Sequence, residues 1–156
     1  MKKKVKIGLA LGAGAARGLA HIGVLQVLEE HGIFPEYISG SSIGAIVGAL
    51  YAARITPKMM EGIAQNLDIA RYYDVKVPRI GFIQGKKIED LIKLLTQNKD
   101  FSELKIPLTV TAVDLKTCKL IEISEGKVYE AVRASISIPG IFTLVIRGDY
   151  TLVDGG

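Results

Sequence analysis

The sequence predicts an α/β protein, with parallel strands at its centre and helices packed against them, and three observations carry that reading. Hydrophobic residues make up 49% of the 156 positions while aromatics reach only 6% and tryptophan is absent. Such a core is built from Ile, Leu, Val and Ala, as in sheets covered by helices. Secondly, a strand at Val5 to Leu11, a helix and a second strand ending at Gly40 follow in close order, and that β-α-β unit makes its two strands parallel neighbours. Thirdly, Tyr37 to Leu50 joins an apolar strand, a Gly-x-Ser-x-Gly turn and an apolar helix without a break. No repeat, low-complexity tract or linker divides the chain, so a single domain over 1–156 is expected.

Taken in order, Val5 to Leu11 is a buried strand that runs into Gly12-Ala13-Gly14-Ala15-Ala16-Arg17-Gly18. A glycine-rich loop between strand and helix lets backbone N–H groups converge on one anion. The next helix spaces Leu19, Ile22, Leu25 and Leu28 three apart and stops at Gly32. After the elbow strand, Ile43 to Ala53 is rich in small residues, which suits close packing on a sheet, and Thr56-Pro57 is an N-cap with a first-turn proline. Periodicity fades from Asn66 to Phe82 and returns in an amphipathic helix from Gly85 to Thr96. Residues 108–113 and 119–124 read as strands paired around a turn at 115–118, and Val128 to Ser135 as a short helix. Pro139-Gly140 forces a turn, and the last strands flank Gly148-Asp149 before Asp154-Gly155-Gly156.

The turn at 40–44 has the form of a nucleophile elbow. Gly40 and Gly44 remove the Cβ atoms that would collide as the chain reverses, and Ser42 is presented between strand and helix. The plain alternative is a Gly/Ser turn of a small-residue α/β protein. An alcohol is a feeble nucleophile without a base, yet both histidines, His21 and His31, precede the serine, so the chain order serine, acid, histidine is impossible. His31 suits a helix C-terminus, and His21 either borders the site or is a packed or surface residue. The base is then a carboxylate or a lysine. Asp154 lies at a strand end before two glycines that let the chain swing away, although a short Asp-Gly turn is the commoner meaning of those letters. Asp114 reads as ordinary turn chemistry.

Lysine and arginine exceed aspartate and glutamate by 20 − 16 = +4, a modest excess. It is compatible with peripheral contact at an anionic lipid surface, with a solvated face as the competing account, and no aromatic interleaving marks a nucleic-acid surface. The single cysteine, Cys118, excludes an internal disulfide, fits a reducing, cytoplasmic setting and reads as a small apolar filler. Neither a metal site nor a cofactor is expected, and no apolar run approaches a membrane span.

A glycine-rich loop ending in Arg17-Gly18, Gly40-Ser41-Ser42-Ile43-Gly44 and Asp154-Gly155-Gly156, in that order, resemble the patatin-like phospholipases, as does Ala134-Ser135 through Pro139-Gly140 to Phe142. The resemblance covers nearly the whole chain. It implies a three-layer α/β/α fold with a mainly parallel central sheet and hydrolysis of a lipid or other acyl ester by a Ser–Asp dyad. Ser42 then matches the nucleophile and Asp154 the general base. Ala13, Gly14 and Ala15 match the oxyanion loop, supported by Gly12, Arg17, Gly18, Gly40, Gly44, Gly155 and Gly156. Two departures stand out. Ala13 and Ala15 occupy positions that are often glycine, and a methyl group there is expected to require negative φ. The chain also stops just after the aspartate, so a truncated domain completed by a second polypeptide is expected. The segment from Thr56 to Asp100, with Met59, Met60, Tyr72, Tyr73 and Phe82, is expected to form the variable wall of an acyl site, or else ordinary core. A dinucleotide-binding module is the rival from another class, weakened by one residue too many before Gly18 and by the lack of an acidic residue after the second strand. A non-catalytic fragment is the third reading.

Overall fold

The computed structural model describes residues 5–66 and 85–156. In chain order these form β1 (Gly8–Leu11), a 3-10 turn η1 (Ala15–Leu19), α1 (Ala20–Glu30), β2 (Tyr37–Ser41), α2 (Ile43–Ala52) and α3 (Pro57–Asn66). They continue with α4 (Lys86–Leu95), a 3-10 turn η2 (Phe101–Glu103), β3 (Leu108–Asp114), β4 (Lys119–Ile123), α5 (Val128–Ser135), β5 (Val145–Arg147) and β6 (Tyr150–Asp154).

Each boundary has a local cause. Thr56 caps α3, its Oγ1 accepting the N–H of Met59 at 3.3 Å, and Pro57 occupies the first turn, where its missing N–H costs nothing. At η2, Asp100 and Glu103 form a capping box, the Glu103 carboxylate accepting the Asp100 N–H at 2.7 Å. Gly32 ends α1 with φ +67, a left-handed stop that an L side chain resists.

The sheet is mixed. The strands β1, β2 and β3 are parallel, as the β-α-β reading requires, whereas β4, β5 and β6 run antiparallel to their partners. Connection length explains the two hairpins, since tight turns at 115–118 and 148–149 can join only antiparallel neighbours while parallel pairing needs a crossover; β6 meets β3 antiparallel after the longer passage through β4, α5 and β5. The architecture is that of the expected three-layer α/β/α class: α2 and α5 pack on the sheet, α1 and α3 pack on each other and on α2, and α4 packs on α5. Along β3, Leu108, Val110, Ala112 and Asp114 are buried against α2 and α5, and they alternate with half-buried Thr109, Thr111 and Val113. The core joins Leu25 of α1, Ala45 and Ala49 of α2, Met60 of α3, Ile92 of α4, and Ala131 and Val132 of α5.

The two edges of β3 are used differently. On one edge, β4 pairs with residues 110–114 of β3. The opposite edge is shared, because β2 pairs with Leu108 to Thr111 and β6 with Ala112 to Asp114. Since β2 is parallel to β3 and β6 antiparallel, the two strands approach from opposite directions and their C-terminal ends meet, Ser41 beside Thr111 and Asp154 beside Ala112.

Cys118 departs from its expected role as an apolar filler. It sits exposed in the β3–β4 turn with φ +55, its N–H donating to Asp114 O at 2.8 Å, because a four-residue reversal leaves its side chain no core to fill. Among the described residues no helix is long and apolar enough to cross a membrane. Tyr72, Tyr73, Phe82 and the basic run at 2–4 lie outside the described residues.

Asp114 fills the turn role its position suggested. Its Oδ2 accepts the hydroxyl and N–H of Thr117 at 2.7 and 3.1 Å, and its Oδ1 accepts the N–H of Thr151 at 3.0 Å, pinning β6 to the turn. The Thr117 hydroxyl first, and then the Thr151 N–H, hold its pKa below the usual carboxylate range. A depressed folded-state value means that the stabilisation is fully present above the unfolded carboxylate pKa of about 3.9 and is lost as pH falls through the lower folded value. Asp114→Asn is therefore expected to lower the melting temperature at pH 7, and the gap from wild type should close with acidification. Calorimetry across pH checks this; a gap independent of pH would contradict it.

Candidate active site

Ser42 sits at the N-cap of α2 with φ 54 and ψ −122, outside every ordinary basin for a residue bearing a Cβ. Holding it there costs about 1–3 kcal/mol, a strain that persists only where the surroundings over-determine it. The surroundings are close. A Cβ at Gly44 would lie 2.1 Å from Leu11 O, and one at Gly40 would lie 2.6 Å from Gly44 O, so both glycines of the turn are required by contact with backbone. Only bare backbone allows α2 to start where β1 ends.

The elbow directs the Ser42 hydroxyl toward the end of β6. Ser42 Oγ donates to Asp154 Oδ2 at 2.7 Å, across 112 residues of sequence, and Ser42 itself is 8% exposed. The other carboxylate oxygen, Oδ1, accepts the N–H of Gly156 at 2.8 Å. Gly155 passes against the sheet so closely that a Cβ there would meet Thr111 O at 2.2 Å, and a Cβ at Gly156 would meet Ala13 Cβ at 2.2 Å. The three motifs expected to work together are thus brought together: the elbow, the Asp-Gly-Gly end and, backing onto it, the glycine loop.

In that loop Ala15 adopts φ +48, which corrects the expectation that a methyl group there requires negative φ. The reason lies in the turn that follows, where Gly14 O accepts the N–H of Arg17 at 3.0 Å and starts η1 at Ala15. Gly18 is buried against Ile43, leaving no room for a side chain, whereas a Cβ at Gly12 would meet open space. Arg17 is exposed. His21 does border the loop: its Nε2 donates to Gly12 O at 2.9 Å, while the Ser42 hydroxyl is bonded to Asp154 instead. His31 stays at the end of α1, bonded through Nδ1 to Val27 O at 2.9 Å.

A cavity of about 410 Å³ opens beside Ser42. Ala15, Ala16 and Ser42 line it together with Ile46, Leu50, Met60 and Leu91, among others, and the lining is almost wholly apolar. Residues 42, 46 and 50 lie on one face of α2 at helical spacing, so the cavity follows that helix for about 12 Å at 1.5 Å per residue. Part of the Thr56–Asp100 segment therefore does form its wall, through α3 and α4. What the sequence leaves without a role is the C-terminal end of α5, where Ser135 Oγ accepts the N–H of Ser42 at 2.8 Å. The Ala-Ser resemblance at 134–135 is its only trace in the sequence.

An α/β fold with a strained serine at a strand–helix turn, hydrogen-bonded to a carboxylate at a neighbouring strand end, defines the class of serine–carboxylate elbow proteins. The sequence model described as patatin-like phospholipase matches residues 9–156, and the chain belongs to that family. An uncharacterised NTE family protein of Mycobacterium bovis is 36% identical over 154 residues, covering 97% of this chain and 42% of that protein. A lysophospholipase, nte1, of Emericella nidulans is 31% identical over 156 residues, covering 96% of this chain and 10% of that protein. Among solved structures, VipD from Legionella pneumophila superposes with a TM-score of 0.83 at 15% identity, over 97% of this chain and 46% of its own, a likeness of fold. The chain spans less than half the length of these relatives. Family membership leaves the dinucleotide-binding reading without support.

Gly44→Ala is expected to destabilise the protein by about 3 kcal/mol, the upper end of overpacking costs, since the atoms it would meet, Leu11 C and O and Gly12 O, are all backbone. Urea denaturation measures it. An unchanged midpoint would mean that the β1 end and the elbow do not touch as described.

Proposed function

We propose that the protein is a serine acyl hydrolase acting on lipid esters that present a single acyl chain, a lysophospholipid being the substrate class favoured. The observation that carries the reading is the 2.7 Å hydrogen bond from Ser42 Oγ to Asp154 Oδ2, with Ser42 lining an apolar cavity. In this reading the acyl chain lies along α2 and the ester carbonyl stops at Ser42. Ser42 Oγ attacks the carbonyl carbon while its proton passes to Asp154. The tetrahedral oxyanion is held by backbone N–H groups of Ala13, Gly14 and Ala15, aided by the positive end of α2. Collapse breaks the ester C–O bond, and the leaving alkoxide takes the proton from Asp154. Water then attacks the acyl-serine, giving its proton to Asp154, and release of the fatty acid returns that proton to Ser42.

Support for the substrate class comes from the shape and chemistry of the site. A cavity that reaches from Ser42 to Leu50 along α2 suits an acyl chain, and its almost wholly apolar wall offers nothing to a polar substrate. The relative named lysophospholipase points the same way. Arg17, exposed in the glycine loop, is suited to an anionic headgroup and to peripheral contact with a lipid surface.

Steady-state hydrolysis of lysophospholipids and of p-nitrophenyl esters tests the proposal. Ser42→Ala and Asp154→Asn are each expected to lower kcat by roughly three orders of magnitude with the fold intact, as removal of a member of such a unit does. His21→Ala should lose far less. If Asp154→Asn turned over normally while His21→Ala did not, the dyad would be wrong. Leu50→Trp, placed about 12 Å along the channel, is expected to lower kcat/KM for long-chain esters at least about tenfold and to spare short ones. Equal losses for both lengths would contradict the placement of the chain.

A further inference from the structure

The segment Arg133 to Ser137 makes hydrogen bonds to both members of the Ser42–Asp154 pair. Ser135 is fully buried, and its Oγ accepts the Ser42 N–H at 2.8 Å. That N–H is at the N-cap, where the helix gives it no partner, and its residue is held in a conformation that no regular ladder would satisfy. Two carbonyls of the same turn hold the other half of the pair. Ser137 O accepts the Asp154 N–H at 3.0 Å, and Ser135 O accepts the Gly155 N–H at 3.3 Å.

The turn is itself fixed from the side away from the elbow. Arg133, only 4% exposed, donates from one guanidinium nitrogen to Ser137 Oγ at 2.6 Å and from another to Thr143 O and Oγ1, both at 3.1 Å. Its guanidinium also lies 5.3 Å from the centroid of the Phe142 ring, and burial draws its pKa below the usual arginine value. Ser137 Oγ in turn donates to Arg133 O at 2.8 Å, closing the turn on itself. A buried arginine with this set of bonds gives residues 135–143 one geometry, including Ile138 and Phe142 in the cavity wall.

We propose that Ser135 is the positioning residue of the nucleophile: its hydroxyl oxygen holds the strained Ser42 backbone, while the Arg133-braced turn at 135–137 keeps Asp154 in register with it. The role as positioning residue rests on the acyl-hydrolase reading. The backbone part stands without it. Neither Ser135 nor Arg133 touches the substrate in this account; both act through Ser42 and Asp154. Without the Ser135 hydroxyl a buried N–H loses its acceptor, and Ser42 can gain one only by leaving its present φ and ψ. The cost should appear in turnover, because the Ser42 Oγ is then misplaced toward Asp154 and the ester carbonyl, and not in acyl-chain binding, because the cavity wall is unchanged.

The test compares Ser135→Ala, Ser135→Thr and Ser135→Cys in the full-length protein by kcat and KM on a p-nitrophenyl ester, together with amide hydrogen exchange at Ser42. Expected are a fall in kcat of about ten- to a hundred-fold for Ser135→Ala with KM within about twofold, and recovery to within a few-fold in Ser135→Thr, which retains the oxygen acceptor. The Ser42 amide should be protected from exchange in wild type and Ser135→Thr and lose protection in Ser135→Ala. A folded Ser135→Ala protein with wild-type kcat and an equally protected Ser42 amide would overturn the proposal. If Ser135→Ala does not fold, the comparison of Thr with Cys decides, since both fill the site but sulfur is a weak acceptor; equal rates and equal protection in the two would overturn it. Should wild type hydrolyse no ester, the acyl-hydrolase reading fails, and exchange at Ser42 still tests the backbone hydrogen bond on its own.

Discussion

The meeting of β2 and β6 on one edge of β3 is the constraint on which the rest of the site depends. A strand has two edges, and here one of them is divided end to end between a parallel and an antiparallel partner. Neither can be lengthened past residues 111–112 of β3 without displacing the other. The residues at the junction are therefore forced together, and the chain gives that junction Ser41-Ser42 on one side and Asp154 on the other. A hydroxyl and a carboxylate over a hundred residues apart in sequence are brought within a hydrogen bond by sheet register before any side-chain preference acts.

Register alone would not aim the hydroxyl. The reversal after Ser41 puts Ser42 in a backbone conformation that costs free energy, and the structure offsets that cost in two places. Gly40 and Gly44 let the turn pack on the carbonyls of β1 and α2, so that the elbow is tight because its neighbours are bare backbone. Ser135 supplies the acceptor that the Ser42 N–H would otherwise lack. The same elbow starts α2, whose face carries Ile46 and Leu50 into the apolar cavity, so the serine turn and part of the cavity wall belong to one continuous element. A site built on a helix start and a strand end is held more closely than one built on loops.

Much of this is legible in the sequence, for definite physical reasons. The elbow can be read because glycine spacing, strand and helix coincide within a single short stretch. Asp154 can be read because it ends an apolar strand and is followed by two glycines, and no histidine follows Ser42. Asp114 is readable as a turn residue from its place before a reversal. The hydrogen bonds of Ser135, Ser137 and Arg133 are not legible, since they join a helix end to the elbow and to β6 through tertiary contact, and a serine in a short amphipathic helix carries no periodic signal. The positive φ of Ala15 escapes the sequence for a related reason: the turn that imposes it is set by a backbone bond from Arg17 to Gly14, which no side-chain pattern records. The antiparallel strands are visible as turns, yet the sharing of one edge by β2 and β6 comes only from register.

The central claim is that Ser42 is an activated nucleophile lining an acyl-binding cavity. Treating the folded protein with a long-chain alkyl fluorophosphonate and mapping the adduct by peptide mass spectrometry tests it most directly. The account predicts a single stoichiometric adduct on Ser42, formed faster with a long alkyl chain than with a short one and abolished by competing lysophospholipid. A folded protein that takes no label, or takes it at another serine, would contradict it.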